Sequence, residues 1–437
     1  MKKVTAIILL LLIALTGCRV QLAIEPSDTT GFFGDNGEQQ GVDPDFGNET
    51  ETDILPFDGK IVIITNPATY DPMAIGSVIN EDAYLGAKAL ADRYERERVV
   101  HKIWPYFVLN SEDIIDEMLS DISESLDVKA AIIFDSISDS SYVVDSLHSL
   151  RDDIFVVFIT YVNMDRADFI DVRADLIIQT DIQRLGEAYV KQAISMGADT
   201  LAEYSFPMDR SNPIHSLRRD AIKVTAEREG IRFIDMEAPT PGGGDPFGVN
   251  MKPFLIQDIP RQVERLGKNT AFYGSSIVFL DIIMAQTVAT GAIFVLTNYP
   301  TPFLTYPEVF EIEYRKETDQ EDEHGRLIQR RLDITELLQA LDDAVDASGM
   351  AGRVSCWAVP DLIMWLTIGF MYSVEWLSGN VPQERGVIDI EALERLAKVY
   401  TAQLGLDAGI SLEALTHNGE MIGHYILGII DYYVFGN

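Results

Sequence analysis

The run Ile61-Val62-Ile63-Ile64-Thr65, preceded by the turn signal Asp58-Gly59-Lys60, constrains this chain more than any other feature. Its apolar residues are continuous rather than alternating, which suits a strand covered on both faces, as in a parallel sheet. After the loop 66–75, the stretch 80–94 places Ala83, Gly86, Ala87 and Leu90 on one helical face. The strand, loop, helix unit then recurs: strand 129–134 with helix 142–150, strand 154–160, and strand 175–179 with helix 181–196. Alternating units of this kind predict parallel sheets with right-handed crossovers, an α/β fold.

A second series is spaced less evenly. It reads as a helix at 216–228, strands at 231–235 and 270–273, a helix at 276–290 and a strand at 292–297. The segment 241–249, with Gly242, Gly243 and Gly244, is a surface loop; no Lys-Ser/Thr follows it, so it is not a phosphate cradle. An aromatic-rich loop with Pro300, Pro302 and Pro307 leads into charged helices that run to about residue 348. A strand at 353–358 and a very apolar helix at 360–377 come next. The apolar stretch 362–374 has thirteen residues, against the roughly 20 a membrane span needs, so it reads as a buried helix. The same reading applies to 424–435, which Asp431 interrupts. The expectation is two Rossmann-like lobes with parallel sheets and extra C-terminal helices.

Composition removes several functional classes. The 437 residues carry 34 Lys and Arg against 69 Asp and Glu, a net charge of −35, and such a surface repels nucleic-acid backbones. Two cysteines and six scattered histidines cannot build a Cys₄ or Cys₂His₂ metal site or a multi-disulfide scaffold. His101, His148, His215, His324, His417 and His424 form no HExxH, and neither G-x-S-x-G nor a strand-borne G-x-G-x-x-G occurs. Asp135 and Asp181 are explained as helix caps rather than paired acids. The chain is read as a non-enzyme that needs no cofactor and no metal.

The N-terminus sets the location. Met1-Lys2-Lys3, an apolar stretch 4–15 and Leu15-Thr16-Gly17-Cys18 have the layout of a secretory signal. Leu-Thr-Gly-Cys resembles the bacterial lipobox, which implies cleavage of 1–17, lipidation of Cys18 and an extracytoplasmic protein held at the cell membrane by its lipid. Cys356 is then a lone cysteine, expected to be buried and inert. From Glu25 to Asp53 there are nine acids and no Lys or Arg, so 18–57 reads as the lipidated N-terminus with a flexible acidic stalk. The body from residue 58 carries 31 Lys and Arg against 60 Asp and Glu, −29.

Two segments of the body carry a family resemblance. Gln179-Thr180-Asp181-Ile182-Gln183-Arg184-Leu185-Gly186 is similar to the Asp-x₄-Gly segment that opens the second lobe of type I periplasmic solute-binding proteins. Gly352-Arg353-Val354-Ser355-Cys356-Trp357-Ala358-Val359-Pro360-Asp361 resembles their returning first-lobe strand and Pro-Asp helix start. The chain also resembles an uncharacterised bacterial lipoprotein family distantly similar to the basic membrane protein nucleoside receptors. The resemblance implies a type I periplasmic-binding-protein architecture: a first lobe of 58–180 plus about 353–385, a second lobe of 181–352 with a charged helical insertion at about 308–350, and a C-terminal helical extension, 386–437.

Such folds bind ligand at the carboxyl ends of parallel strands, where loops of two lobes face each other. The strand ends select Asn66 and Tyr70, Ser136, and Tyr161 and Asn163 from the first lobe. Phe206 and Arg210, Ser275 with the neighbouring Tyr273, and Asn298 come from the second, and Trp357 ends the returning strand. Competing readings make Tyr161 and Trp357 core aromatics, Arg210 a salt-bridge partner, and Asn66 and Asn298 caps. These side chains depart from the paired Asp, Arg and Asn of sugar receptors. The expected function is a lipid-anchored solute-binding receptor that closes on a small polar molecule, nucleoside-like or sugar-like, and delivers it to an ABC-type permease. The alternative is a lipoprotein sensor or docking subunit without a transport role. DNA binding is excluded because a lipobox and an acidic stalk occupy the place of a helix-turn-helix.

Overall fold

The apolar runs pair into two sheets, and the order of pairing decides where their functional edges lie. The computed structural model describes residues 57–67, 77–94, 97–104, 112–135, 141–160, 170–239, 251–296, 301–321 and 327–436. All of them belong to the compact unit Gly41–Asn437.

The first lobe begins with β1 (Lys60–Thr65), α1 (Ser77–Arg93), β2 (Val99–Ile103), α2 (Glu112–Glu124), β3 (Val128–Asp135), α3 (Ser141–Leu150), β4 (Phe155–Thr160) and β5 (Leu176–Thr180). The five strands are parallel, in the order β2-β1-β3-β4-β5. Successive residues of β1 serve opposite cores. Ile61 and Ile63 pack with Ala83, Ala87 and Leu90 of α1, whereas Val62 and Ile64 pack with Ile115 and Leu119 of α2 and Val143 and Leu147 of α3. This two-sided burial is why the run is apolar at every position.

The chain then crosses to α4 (Ile182–Ser195), β6 (Thr200–Ser205), α5 (Pro213–Glu229), β7 (Arg232–Glu237), α6 (Met251–Leu266), β8 (Thr270–Gly274), α7 (Leu280–Thr290) and β9 (Ile293–Val295). These strands form a second parallel array, β7-β6-β8-β9. Helix boundaries follow local chemistry. Asp181 caps α4 by accepting from the N–H groups of Gln183 and Arg184, and Asn212 caps α5, with Pro213 at its first position and Gly230 left-handed (φ 73°) at its end. In α4, Gly186 allows close packing on α5: a Cβ there would lie 2.7 Å from the Arg218 carbonyl oxygen.

An excursion follows, with α8 (Tyr306–Val309), the hairpin β10 (Arg315–Glu321) and β11 (Leu327–Arg331), and α9 (Ile334–Ala347). Next, β12 (Val354–Trp357) adds parallel to β9. Then α10 (Asp361–Leu377) returns to the first lobe, lies on β3, β4 and β5, and packs on α1. Thirteen of its seventeen residues are buried, among them Trp365, Ile368 and Phe370. Each fully buried large apolar side chain contributes about 1.5–3 kcal/mol, which accounts for the apolar character of the segment without a membrane. Among the described residues no helix is long and apolar enough to cross one. Finally, α11 (Ile390–Gln403) packs on α10, β13 (Ile410–His417) and β14 (Glu420–Ile430) extend the first sheet beyond β5, and β15 (Tyr432–Val434) pairs antiparallel with β12.

The α/β class with two mostly parallel, helix-covered sheets is borne out. Four expectations change. Residues 354–357 belong to the second sheet, not the first lobe, because a four-residue apolar strand fits either sheet and its partners, β9 and β15, are both in the second. Residues 424–435 are strand rather than helix. Their β-branched and aromatic residues, such as Tyr425, Ile426, Ile429 and Ile430, suit a pleated surface, and β5 offers a free edge to pair with. The segment 386–437 is therefore one helix and three strands rather than a helical extension. The charged insertion holds a β-hairpin before its helix. Cys356 is buried as expected, and burial holds its thiol well above the ordinary range.

Candidate ligand site at the lobe junction

The chain passes between lobes three times, at Thr180–Ile182, Trp357–Asp361 and Ile430–Tyr432. Thr180 ends β5 and Trp357 ends β12, so each of these parallel arrays turns its carboxyl edge toward the crossings. The crossings are bonded to one another. Thr180 Oγ1 donates to Asp361 Oδ2 at 2.9 Å, Trp365 Nε1 donates to Thr180 Oγ1 at 3.0 Å, and the Asp181 N–H donates to the Gly428 carbonyl at 2.9 Å. Gly428 lies against Trp365: a Cβ would be 2.4 Å from the indole ring. Asp361 is fully buried. Burial pushes its carboxyl up to about 7 against the Thr180 hydrogen bond, with the Asp82 carboxylate adding to the rise.

At the carboxyl edges, buried polar atoms stand without hydrogen-bond partners among the described residues. Thr160 Oγ1 is on the last residue of β4, Ser205 Oγ on the last of β6 and Trp357 Nε1 on the last of β12. Leaving a buried polar atom unsatisfied costs about 1–3 kcal/mol, so three of them at strand termini of both lobes require a reason. Two hydroxyls and one indole N–H form a neutral donor and acceptor set, suited to hydroxyls and ring heteroatoms rather than to an ion.

The residues selected from the sequence are distributed as follows. Asn66 is buried directly after β1, where Thr65 Oγ1 donates to its carbonyl. Trp357 is fully buried. Phe206 packs its ring on Phe279, with centroids 4.5 Å apart, inside the second-lobe core. Ser275 is buried and donates to Asp209, whose Oδ2 also accepts from the Phe206 N–H at 3.2 Å. Burial would raise Asp209, but hydrogen bonds from His215, Ser275 and the Phe206 N–H hold it below the usual carboxylate range. Arg210 is 39% exposed in its side chain and pairs with Asp235 at 3.2 Å, a surface bridge. Thus Phe206, Ser275 and Arg210 share one loop cluster, yet the first two are tied into the lobe and the third points to its outside. Tyr70, Ser136, Tyr161, Asn163 and Asn298 lie outside the described residues, as do Cys18, the triple glycine and all of the stalk segment but its last residue, Phe57, which is buried in the first-lobe core.

Behind that cluster Glu203 of β6 and Arg218 of α5 are buried. Arg218 Nη2 donates to the Ser275 carbonyl at 2.6 Å, and Arg219 Nε donates to Glu203 at 3.0 Å. Burial pushes the Glu203 carboxyl up to about 7 against both arginines.

Sequence reasoning missed a buried ionic cluster. Glu81 and Asp82 of α1 receive Arg315 and Arg331 from the hairpin, and Thr301 Oγ1 donates to Asp82 Oδ2 at 3.1 Å. The available signal was an acidic pair entering the buried helical run 83–91; nothing local marks the arginines. Among the described residues no group of three or more His, Cys, Asp or Glu side chains is arranged to hold a metal ion.

Known proteins resemble this chain to different degrees. A protein described as a "Putative transcriptional regulator" from Clostridium difficile 630 matches 87% of this chain and 99% of its own, at 18% identity and a TM-score of 0.70. A "periplasmic ribose ABC transporter" from Conexibacter woesei DSM 14684 matches 78% of this chain and 95% of its own, at 15% identity and a TM-score of 0.44. An "Uncharacterized protein" of Treponema pallidum (strain Nichols) is 27% identical over 152 residues, which is 35% of this chain and 69% of that one. The likeness to the first of these, well under 25% identical, bears on the fold alone: two mostly parallel, helix-covered sheets. Residues 73–355 match the family described as "Protein of unknown function (DUF3798)", and the chain belongs to that family.

Proposed function

We propose that this protein is a lipid-anchored extracytoplasmic receptor that takes up a small polar molecule between its lobes and passes it to a membrane permease of the ABC type. The observation that supports this reading is the set of buried polar atoms on Thr160, Ser205 and Trp357, without partners among the described residues and each on the last residue of a parallel strand, from both lobes. A hydroxyl-bearing ligand, nucleoside-like or sugar-like, satisfies such atoms. Asn66 and Ser275 lie at the same edges, and Asp209, which also accepts from the Phe206 N–H, holds Ser275. No chemistry is required, since a ligand that binds one arrangement of the lobes better than another shifts the population between them. The lipobox ending at Cys18 and the acidic stalk supply the anchor.

The test is a thermal-shift screen of the purified full-length lipoprotein with nucleosides, pentoses and hexoses, alongside native mass spectrometry of whatever co-purifies. A bound molecule is expected, and Thr160→Val, Ser205→Ala and Trp357→Phe should each weaken it. No binder in either experiment, or binding that all three variants leave untouched, would sink the reading.

A further inference from the structure

The hairpin β10–β11 places Arg315 and Arg331 directly opposite each other in its antiparallel register. Residues so paired share a face of the ribbon, and two like charges there repel unless acids meet them. The acids come from the other lobe. Arg315 Nη1 and Nη2 donate to Glu81 Oε1 and Oε2 at 2.6 and 2.5 Å, a two-pronged pair, while Arg331 Nη1 donates to Asp82 Oδ1 at 2.7 Å and lies 3.4 Å from Glu81 Oε2. The Arg331 guanidinium sits 3.7 Å from the Phe303 ring centre. The side chains are buried: 2% exposed for Glu81, 0% for Asp82, 4% for Arg331 and 10% for Arg315.

The two halves of this cluster belong to different cores. The helix bearing Glu81 and Asp82 packs through Ala83, Ala87 and Leu90 into the first-lobe core. Phe303, Tyr314 and Leu332, which flank the arginines, belong to the second-lobe core, as does Tyr306, whose OH donates to the Ser355 carbonyl of β12 at 2.6 Å. The contact therefore bridges units that a hinged protein would separate on opening. Pulling it apart exposes four charges at once, and while it is made, burial protects it from salt.

We propose that the β10–β11 hairpin is a strap that holds the two lobes closed through Glu81, Asp82, Arg315 and Arg331 without any small molecule between them. Closure is then the resting state, and a ligand or partner acts by tuning an arrangement that the strap already favours. The inference is independent of which ligand, if any, the junction binds.

Double electron–electron resonance on the full-length lipoprotein tests it, with spin labels on the exposed positions of Glu117→Cys in the first lobe and Glu264→Cys in the second; the singly labelled chains serve as controls. Without added ligand, the otherwise unmodified chain should give one narrow distance that 1 M KCl leaves unchanged. The charge-free combination Glu81→Gln, Asp82→Asn, Arg315→Gln, Arg331→Gln should shift the distribution to longer distance by more than its original width. A broad or salt-dependent distance in the unmodified chain, or an unshifted one in the charge-free chain, overturns the proposal. If circular dichroism shows the charge-free chain unfolded, the pair Arg315→Lys and Arg331→Lys decides. It keeps the charge and loses the two-pronged geometry, so a lengthened distance supports the strap and an unchanged one refutes it. The strap fails on this distance alone, whereas the receptor reading fails on the absence of a binder.

Discussion

Thr180 and Asp361, 181 residues apart in the chain, share a buried 2.9 Å hydrogen bond at the point where two of the three lobe crossings touch. Trp365 Nε1 already donates to the Thr180 hydroxyl, so the hydroxyl proton is directed to Asp361. Asp361 is held up to about 7 chiefly by burial, and this gives the junction a pH dependence of known sign. A carboxyl whose folded pKa is raised binds its proton more tightly in the folded state. The stability it contributes is present below the ordinary carboxylate pKa of about 4 and is lost as pH rises through about 7. Asp361→Asn should remove that loss. Thermal melts at pH 5 and pH 8 are expected to show a larger fall for the unmodified protein than for the variant. Glu203, also pushed up to about 7, acts in the same direction in both proteins and cancels in the comparison. Equal falls would refute the assignment.

Glycines at close contacts should separate by sign. A Cβ at Gly428 would lie 2.4 Å from the Trp365 ring and one at Gly186 2.7 Å from the Arg218 carbonyl oxygen, so Gly428→Ala and Gly186→Ala are each expected to destabilise by about 1–3 kcal/mol. At Gly86, inside α1, the nearest atom is Ile363 Cα at an ordinary 3.5 Å. Gly86→Ala should be neutral or stabilising by up to about 1 kcal/mol. Urea unfolding of the three variants checks the order.

Arg210 and Trp357 should behave in opposite ways. Arg210→Ala removes an exposed bridge to Asp235 and is expected to change stability by no more than about 0.5 kcal/mol and to leave ligand affinity unaltered.

Trp357→Phe keeps most of the buried ring and deletes an N–H that has no partner among the described residues. It should cost about 1–2 kcal/mol of stability for the volume lost from a fully buried site and weaken the ligand found by the thermal-shift screen about tenfold, ~1.4 kcal/mol. Calorimetric titration beside a melting curve separates the two effects; loss of stability with affinity intact would make Trp357 a core residue and nothing more.

Much of the scaffold is legible from residues close in sequence. The two-sided apolar run of β1, the Asp181 cap, the buried helix around 362–374 and the burial of Cys356 each leave a mark in the local residue pattern. Strand ends chosen on that basis found Asn66, Ser275 and Trp357 at the lobe edges. The choice of Phe206 and Arg210 from the same loop did not foresee that one ring packs inward and one guanidinium turns to Asp235.

What the sequence by itself determined is the type of most elements and the presence of two α/β series, because burial on one or two faces leaves a periodic imprint on the chain. Tertiary structure alone decided that Val354–Trp357 joins the second sheet, that the run beginning at Tyr425 is a strand beside β5, that Thr180 meets Asp361, and that Arg315 finds Glu81 from 234 residues away. The physical reason is range. Periodicity records whether a side chain is covered, but not by which distant segment, and a strand edge or a buried charge is completed by whichever partner the folded chain brings to it.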